Sequence, residues 1–386
     1  MSDFQHSSDW CEHSFESLIK SVIDYRGRTP LKIGMDWCEG EILALSANNV
    51  KQGYIDVDKD AHYGGDELYH KWMTRGHCEK GDIVFTMEAP LGNVAQIPDD
   101  KKYILSQRVV LLKVDEKKVS DDFLAYVFRG DNFQRDLVRN STGSTVSGIQ
   151  YKKLSRFNIE LPAIFQQQKI AKILSTVDKL IEKTQALIDK YTQIKKGMMV
   201  DLFTRGIDLS GTPETNLNYG QLRSSYEDSP ELYKKTEFGW VPKDWKVSSL
   251  DSLAEKITSG SRDWAAHYAD EGDLFVRISN LTREHINFRW NSIRYVDIGG
   301  GSEGERTRLK EGDILISITA DLGIIGVVPV GLGRAFINQH TALVRLESGI
   351  ANSRYVGNFL QSSSGQKQIE KFNDSGAKAG LNLPTV

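Results

Sequence analysis

Between residues 165 and 203 the apolar positions of this chain repeat every seven residues. Ile170, Val177, Thr184, Tyr191 and Met198 take one position of the repeat, and Ile173, Leu180, Leu187 and Ile194 take the position three later. Leu174, Ile181, Ile188 and Leu202 broaden the stripe. The spacing predicts one amphipathic helix with a coiled-coil seam held for about four heptads. Pro162 stands just ahead of it, where a proline closes a strand before a helix begins. Gly206, just past Arg205, supplies a stop. At ~1.5 Å per residue the helix is roughly 58 Å long. Burying an Ile or Leu contributes roughly 1.5–3 kcal/mol, so about ten such residues call for a partner helix. The stripe fits either the core of one domain or a spacer and assembly helix. The length favours the second, because globular helices average about 10–14 residues.

Outside this stretch the apolar runs are shorter and come in two sets. GDIVFTM and YILSQRVVLLKV predict strands in the first half, and GDILISIT and AFINQHTALVRL predict strands in the second. SDDFLAYVFRGDNFQRDLV and ANSRYVGNFLQSSSGQKQIEKF predict helices, with Phe123, Tyr126, Val127 and Leu137 on one face of the first. Strands separated by glycine turns and followed by a helix indicate an α+β domain. The two sets are copies. KGDIVFTMEAPLG from Lys80 to Gly92 returns as EGDILISITADLG from Glu311 to Gly323, 231 residues later. Asp9-Trp10 and Ser17-Leu18 return as Asp244-Trp245 and Ser252-Leu253. Ser106-Gln107-Arg108 matches Asn338-Gln339-His340, and Thr142-Gly143 with Gly148-Ile149 matches Ser375-Gly376 with Gly380-Leu381. A period this long is a domain duplication. The expected organisation is a first domain over 1–160, a long helix over 161–206, a linker over 207–240 and a second domain over 241–386. The linker is rich in turn formers, and Trp240 and Trp245 are expected to pin it to the second domain.

Composition narrows the function. The 386 residues carry a net charge of -3, so any basic surface is local. The helix itself has eight basic residues against four acidic ones between 165 and 205. That bias reads as a solvated face or a path for phosphates. Three cysteines form no CxxC pair, and no run approaches ~20 apolar residues, so a cytoplasmic location is expected. Phosphate loops, dinucleotide fingerprints, HExxH, GxSxG and the Asn-Pro-Pro run of an amino-methyltransferase are all absent from the sequence. The eight histidines show no metal spacing. Asp82 and Asp313 recur at one place in both copies, where Gly-Asp before a strand is a turn signature.

The loops instead carry side chains suited to nucleic acid. Tyr25, Arg26, Arg28, Ser144 and Thr145 lie in loops of the first copy, and Ser261, Arg262 and Lys378 in loops of the second. Arginine takes guanine bidentately, and Gln takes adenine. Gln107 and Gln339 recur beside Arg108 and His340. Each Gln either caps a strand edge or reads a base, and the arginine loops are either solvated surface or readers.

The segment from Gly143 to Ile207 resembles the central region of type I restriction-modification specificity subunits. The resemblance rests on the IELP strand, the Gln-Gln-Gln-Lys-Ile-Ala helix start, the Leu-Ile-Glu-Lys-Thr heptads and the Leu-Phe-Thr-Arg-Gly-Ile end. The duplicated plan extends it over the whole chain. The resemblance implies two target recognition domains, each reading one half of a bipartite, asymmetric DNA sequence. It implies a spacer helix that sets the gap, paired with a second antiparallel helix. Ile170, Ile173, Val177, Leu180, Leu187, Tyr191 and Ile194 are the expected helix–helix interface. The implied partners are double-stranded DNA, two modification subunits that methylate adenine with S-adenosylmethionine, and restriction subunits that use ATP and Mg2+. The chain itself is expected to be non-catalytic and to bind no cofactor. Its second copy ends at Val386, equivalent to Leu154 of the first, before any second helix. The expectation is therefore a truncated gene product or shortened chain that self-associates through its unpaired helix. Two alternatives remain: a non-DNA scaffold that oligomerises, and a specificity module fused to an enzyme.

Overall fold

The computed structural model describes residues 10–27, 29–37, 40–59, 61–143, 147–262, 264–298, 302–373 and 380–386. The chain divides into two compact units, Met1–Ala186 and Leu187–Val386.

In the first unit a four-stranded antiparallel sheet runs in the order Ile19–Asp24, Val109–Val114, Ile83–Met87, Leu91–Gln96. Every residue of Ile83–Met87 is buried, because the sheet is covered on both faces. Alternation divides its side chains between two cores. Ile83, Phe85, Met87, Val94, Val110 and Leu112 join Phe123, Phe128, Phe133 and Leu137 of the helices Asp121–Arg129 and Asp131–Asn140. Val84, Ala95, Val109 and Leu111 face a second core with Leu68 and Trp72 of the helix Asp66–Trp72. A three-stranded sheet closes that side in the order His62–Gly64, Ile42–Leu45, Tyr103–Leu105, its last pair parallel.

The second unit repeats this topology. Its antiparallel sheet runs Ala254–Ser259, Thr341–Leu346, Ile314–Ser317, Ile325–Val327. Its other sheet has four strands where the first unit has three, and also contains a parallel pair, Asp273–Val276 with Ala335–Ile337. Two helices, Ser353–Gln361 and Ser363–Lys371, follow the sheet as in the first unit.

Individual locks repeat as well. Asp82 accepts the Glu79 amide at 2.8 Å and pairs with Lys113 at 3.0 Å. Asp313 accepts the Lys310 amide at 2.7 Å and takes a bidentate Arg345 at 2.8 and 2.7 Å. The recurring aspartates therefore close a turn and hold a basic residue of the neighbouring strand. Thr86 Oγ1 accepts the Asn93 amide at 2.8 Å, and Ser317 Oγ accepts the Ile324 amide at 2.7 Å. Gln134 donates to the carbonyls of Gly92 and Phe128 at 2.8 and 2.7 Å, as Gln366 does to Gly323 and Leu360 at 2.9 Å each. Gly92 and Gly323 both have positive φ (85° and 78°), which a side chain would strain.

One helix, Ile164–Thr204, spans 41 residues. It begins two residues past Pro162 and stops at Gly206, whose φ of 66° and amide bond to the Asp201 carbonyl (3.2 Å) end the last turn. Its first turns belong to the first unit. Ala171 is buried in that core with Ile170 packed beside it, and the buried Gln167 accepts the Ser120 amide at 3.0 Å. Asp178 takes Tyr126 Oη at 2.8 Å and Arg129 at 3.3 Å. In the second unit Phe203 packs edge-on against Tyr355 and Phe359. The following segment contains the hairpin Tyr233–Thr236 and Gly239–Pro242. Trp240 stacks on Tyr226 with centroids 4.3 Å apart, which ties the hairpin to the segment before it. Among the described residues no helix is long and apolar enough to cross a membrane.

Candidate nucleic-acid interface

Strand alternation decides which residues of the first copy's Tyr-Arg-Gly segment reach solvent. Ile23 and Tyr25 fall on the inner face of their strand and its continuation, and Asp24 and Arg26 on the other. Tyr25 is fully buried, packs in the core with Trp72, and its hydroxyl accepts the Arg75 amide. The expectation that Tyr25 contacts DNA is therefore corrected: its ring has no exposed face. Arg26 is half-buried and held by Asp24, with Nε and Nη2 donating to Oδ2 at 2.9 and 2.6 Å. Burial raises the Asp24 pKa, but the hydrogen bonds and charge of Arg26, aided by Arg75, outweigh this and hold it below the usual carboxylate value.

Arg26 lines an open cleft of about 340 Å³ with Glu88, Thr142, Gln150 and Tyr151. Glu88 follows the strand Ile83–Met87 directly, and Arg108 precedes the neighbouring strand. Their side chains meet at 3.8 Å between Glu88 Oε1 and Arg108 Nε. Gln107 and Arg108 are exposed. Thus Arg26, Gln107 and Arg108 gather at one end of the sheet.

The second unit presents Ser261, Arg262, Gln339 and His340 at the same end of its sheet. Ser261 bridges to Asn338 in parallel fashion and its hydroxyl accepts Arg306 Nη2 at 3.1 Å. Arg262 is exposed. His340 Nδ1 lies 2.6 Å from Thr319 Oγ1, and its Nε2 lies 3.1 Å from Gln339 Nε2. Of the other expected contacts, Arg28, Ser144, Thr145 and Lys378 lie outside the described residues. Glu88, Gln150, Thr319 and Arg306 were missed as members of these rims. Glu88 and Thr319 could have been found, since they occupy one position of the repeated strand motif.

The expected helix interface divides in two. Ile173, Val177 and Leu180 in the first unit, and Leu187, Tyr191 and Ile194 in the second, are exposed. Ile170 is not part of that open stripe: it packs against the first unit's core, which is a correction.

Residues 22–193 match the family model of the type I restriction modification DNA specificity domain. The chain is similar to type I specificity subunits. The type I restriction enzyme MjaVIII specificity subunit of Methanocaldococcus jannaschii is 26% identical over 285 residues, covering 72% of this chain and 61% of that protein. The putative MjaX specificity subunit of the same organism is 28% identical over 278 residues, 67% of this chain and 57% of its own length. The chain thus spans about three-fifths of these relatives. A solved Type-I restriction-modification system S subunit from M. genitalium aligns with 100% of this chain and 84% of its own, at 14% identity and a TM-score of 0.57. That likeness shows a shared fold of mixed helix and sheet.

Proposed function

We propose that this chain is the DNA sequence-recognition subunit of a type I restriction-modification enzyme. The observation that carries the reading is the duplication. The first unit matches a DNA specificity domain, and the second repeats its topology and locks with different side chains at the rim. In this reading 1–160 and 241–386 are target recognition domains. Each takes one half of a bipartite, asymmetric target in duplex DNA. The helix over 161–206 sets the gap between the halves, and 207–240 links it to the second domain. The exposed stripe from Ile173 to Ile194 is the contact for a further helix, in a second copy or a partner. Methylation of adenine and cleavage then fall to modification and restriction subunits, which bring S-adenosylmethionine, ATP and Mg2+. The names carried by the relatives support this division of labour.

The test is duplex-DNA binding measured across salt concentration. Contacts to phosphates release counterions, so log K is expected to fall linearly and steeply with log salt. Binding that ignores salt, or no binding in the presence of the system's modification subunit, favours the scaffold reading and contradicts this one.

A further inference from the structure

In the sequence repeat Glu88 corresponds to Thr319 and Arg108 to His340. The backbone around both pairs is the same. The Met87 amide bonds the Arg108 carbonyl at 2.9 Å, and the Ile318 amide bonds the His340 carbonyl at 3.0 Å. The Ile149 amide reaches the Met87 carbonyl at 3.1 Å, and the Leu381 amide reaches the Ile318 carbonyl at 3.0 Å. Glu88 bridges to Gly148, and Thr319 bridges to Gly380. Among the described residues, three other than glycine have positive φ: Ala89 (44°), Arg108 (66°) and Ala320 (64°). All three adjoin or belong to these pairs, and such backbone is costly unless the surroundings impose it. The fold therefore projects two side chains at one fixed place in each unit, while their chemistry differs.

We infer that Glu88–Arg108 and Thr319–His340, the latter with Gln339, are the matched base-reading elements of the two domains. The inference rests on the DNA-recognition reading above and assigns its specificity to named groups. The first pair is charged and half-exposed, and its members touch at only 3.8 Å, so the ion pair is weak and opens readily. Arg108 can then donate to guanine O6 and N7, and Glu88 can accept from cytosine N4. The second set contains no carboxylate and is closed on itself. With Gln339 Nε2 donating to His340 Nε2, the ring proton sits on Nδ1 and is donated to Thr319. Gln339 keeps one N–H and its carbonyl oxygen, the two groups that adenine N6 and N7 require. The first unit is thus built for a G·C-containing half-site and the second for a half-site with an A·T pair.

The experiment transplants one pair. Glu88→Thr with Arg108→His is made in the full chain, and the converse Thr319→Glu with His340→Arg in a second chain. Each is mixed with the system's modification subunit and used to select from randomised duplex DNA, beside the unaltered chain. The expected result is a preference changed by tenfold or more at one or two positions of one half-site. The other half-site and the gap should stay as they were, and each double variant should change a different half. If both variants select the original target, the pairs are not readers. If the unaltered chain selects nothing, the DNA-recognition reading fails and this inference with it. Thermal melting identifies a variant that has failed to fold. Glu88→Gln, which keeps the shape and removes the acceptor charge, then takes its place. It is expected to lose preference only at the cytosine position, and unchanged selection by it overturns the assignment.

Discussion

At one end of its central strand the first unit ties Asp82 to Lys113, and the second unit ties Asp313 to Arg345. At the other end of the same strands the first unit sets Glu88 against Arg108, and the second sets Thr319 against His340. The first substitution keeps the charge; the second changes it. A buried carboxylate must be paired, because leaving it alone costs several kcal/mol, so the lock tolerates only another cation. A half-exposed rim is under no such constraint, and its chemistry is free to follow whatever it contacts. The comparison separates residues that make the domain from residues that make the domains different.

The largest effect is expected at the locks. Asp313 is 1% exposed and its arginine 12%, whereas Lys113 is 21% exposed and Asp82 12%. Arg345→Ala should destabilise the second unit by about 3 kcal/mol. In a unit of this size that lowers its melting temperature by roughly 6–12 °C. Lys113→Ala should cost the first unit less, and equal losses in two-transition calorimetry would break the ranking. A smaller effect on stability but a clear one on association is expected on the helix. Leu180→Glu with Leu187→Glu replaces two exposed apolar residues, so both melting transitions should stay within about 0.5 kcal/mol. Self-association, read by sedentation-velocity or light scattering across concentration, should weaken tenfold or more. Unchanged association would remove the stripe as an interface.

The smallest effect is one of acid sensitivity. Burial raises the Asp24 pKa, and the bonds and charge of Arg26 lower it further than burial raises it, so the folded value lies below the unfolded one. The stability this contributes is present above the unfolded value, about 3.9, and is lost as pH falls through the lowered folded value. The residue equivalent to Asp24 in the second unit is Ser259, which does not titrate there. Asp24→Asn should therefore flatten the acid limb of the first unit's stability and leave the second unit's unchanged. Melts between pH 5 and pH 3 check this, and an effect on both units would contradict the equivalence.

Much of this frame was legible in the sequence. The repeated Gly-Asp-Ile and the returning Gly at 92 and 323 carried the duplication, and the heptads with Pro162 and Gly206 bounded the long helix to within a residue or two. Periodicity served there because one face of a long helix either meets a core or does not. It failed at the helix start, where Ile170 shares the heptad register yet is taken by the first domain's core. It also failed at Tyr25, where Arg-Gly suggested a loop while strand alternation carried the ring inward. Glu88 and Thr319 were overlooked because they differ, although their shared position between conserved neighbours in the two copies marks them. Burial of a single side chain depends on which face its strand presents, and that is set by the sheet packed behind it.

The most direct test of the account is selection from randomised duplex DNA by the unaltered chain with the proposed modification subunit. Two domains that dock on one face of the duplex favour half-site centres about one helical turn apart, which is about 10–11 base pairs. The account predicts two short, different motifs at that fixed separation, the first containing a G·C pair and the second an A·T pair. A single motif, two motifs at variable spacing, or no enrichment would contradict it.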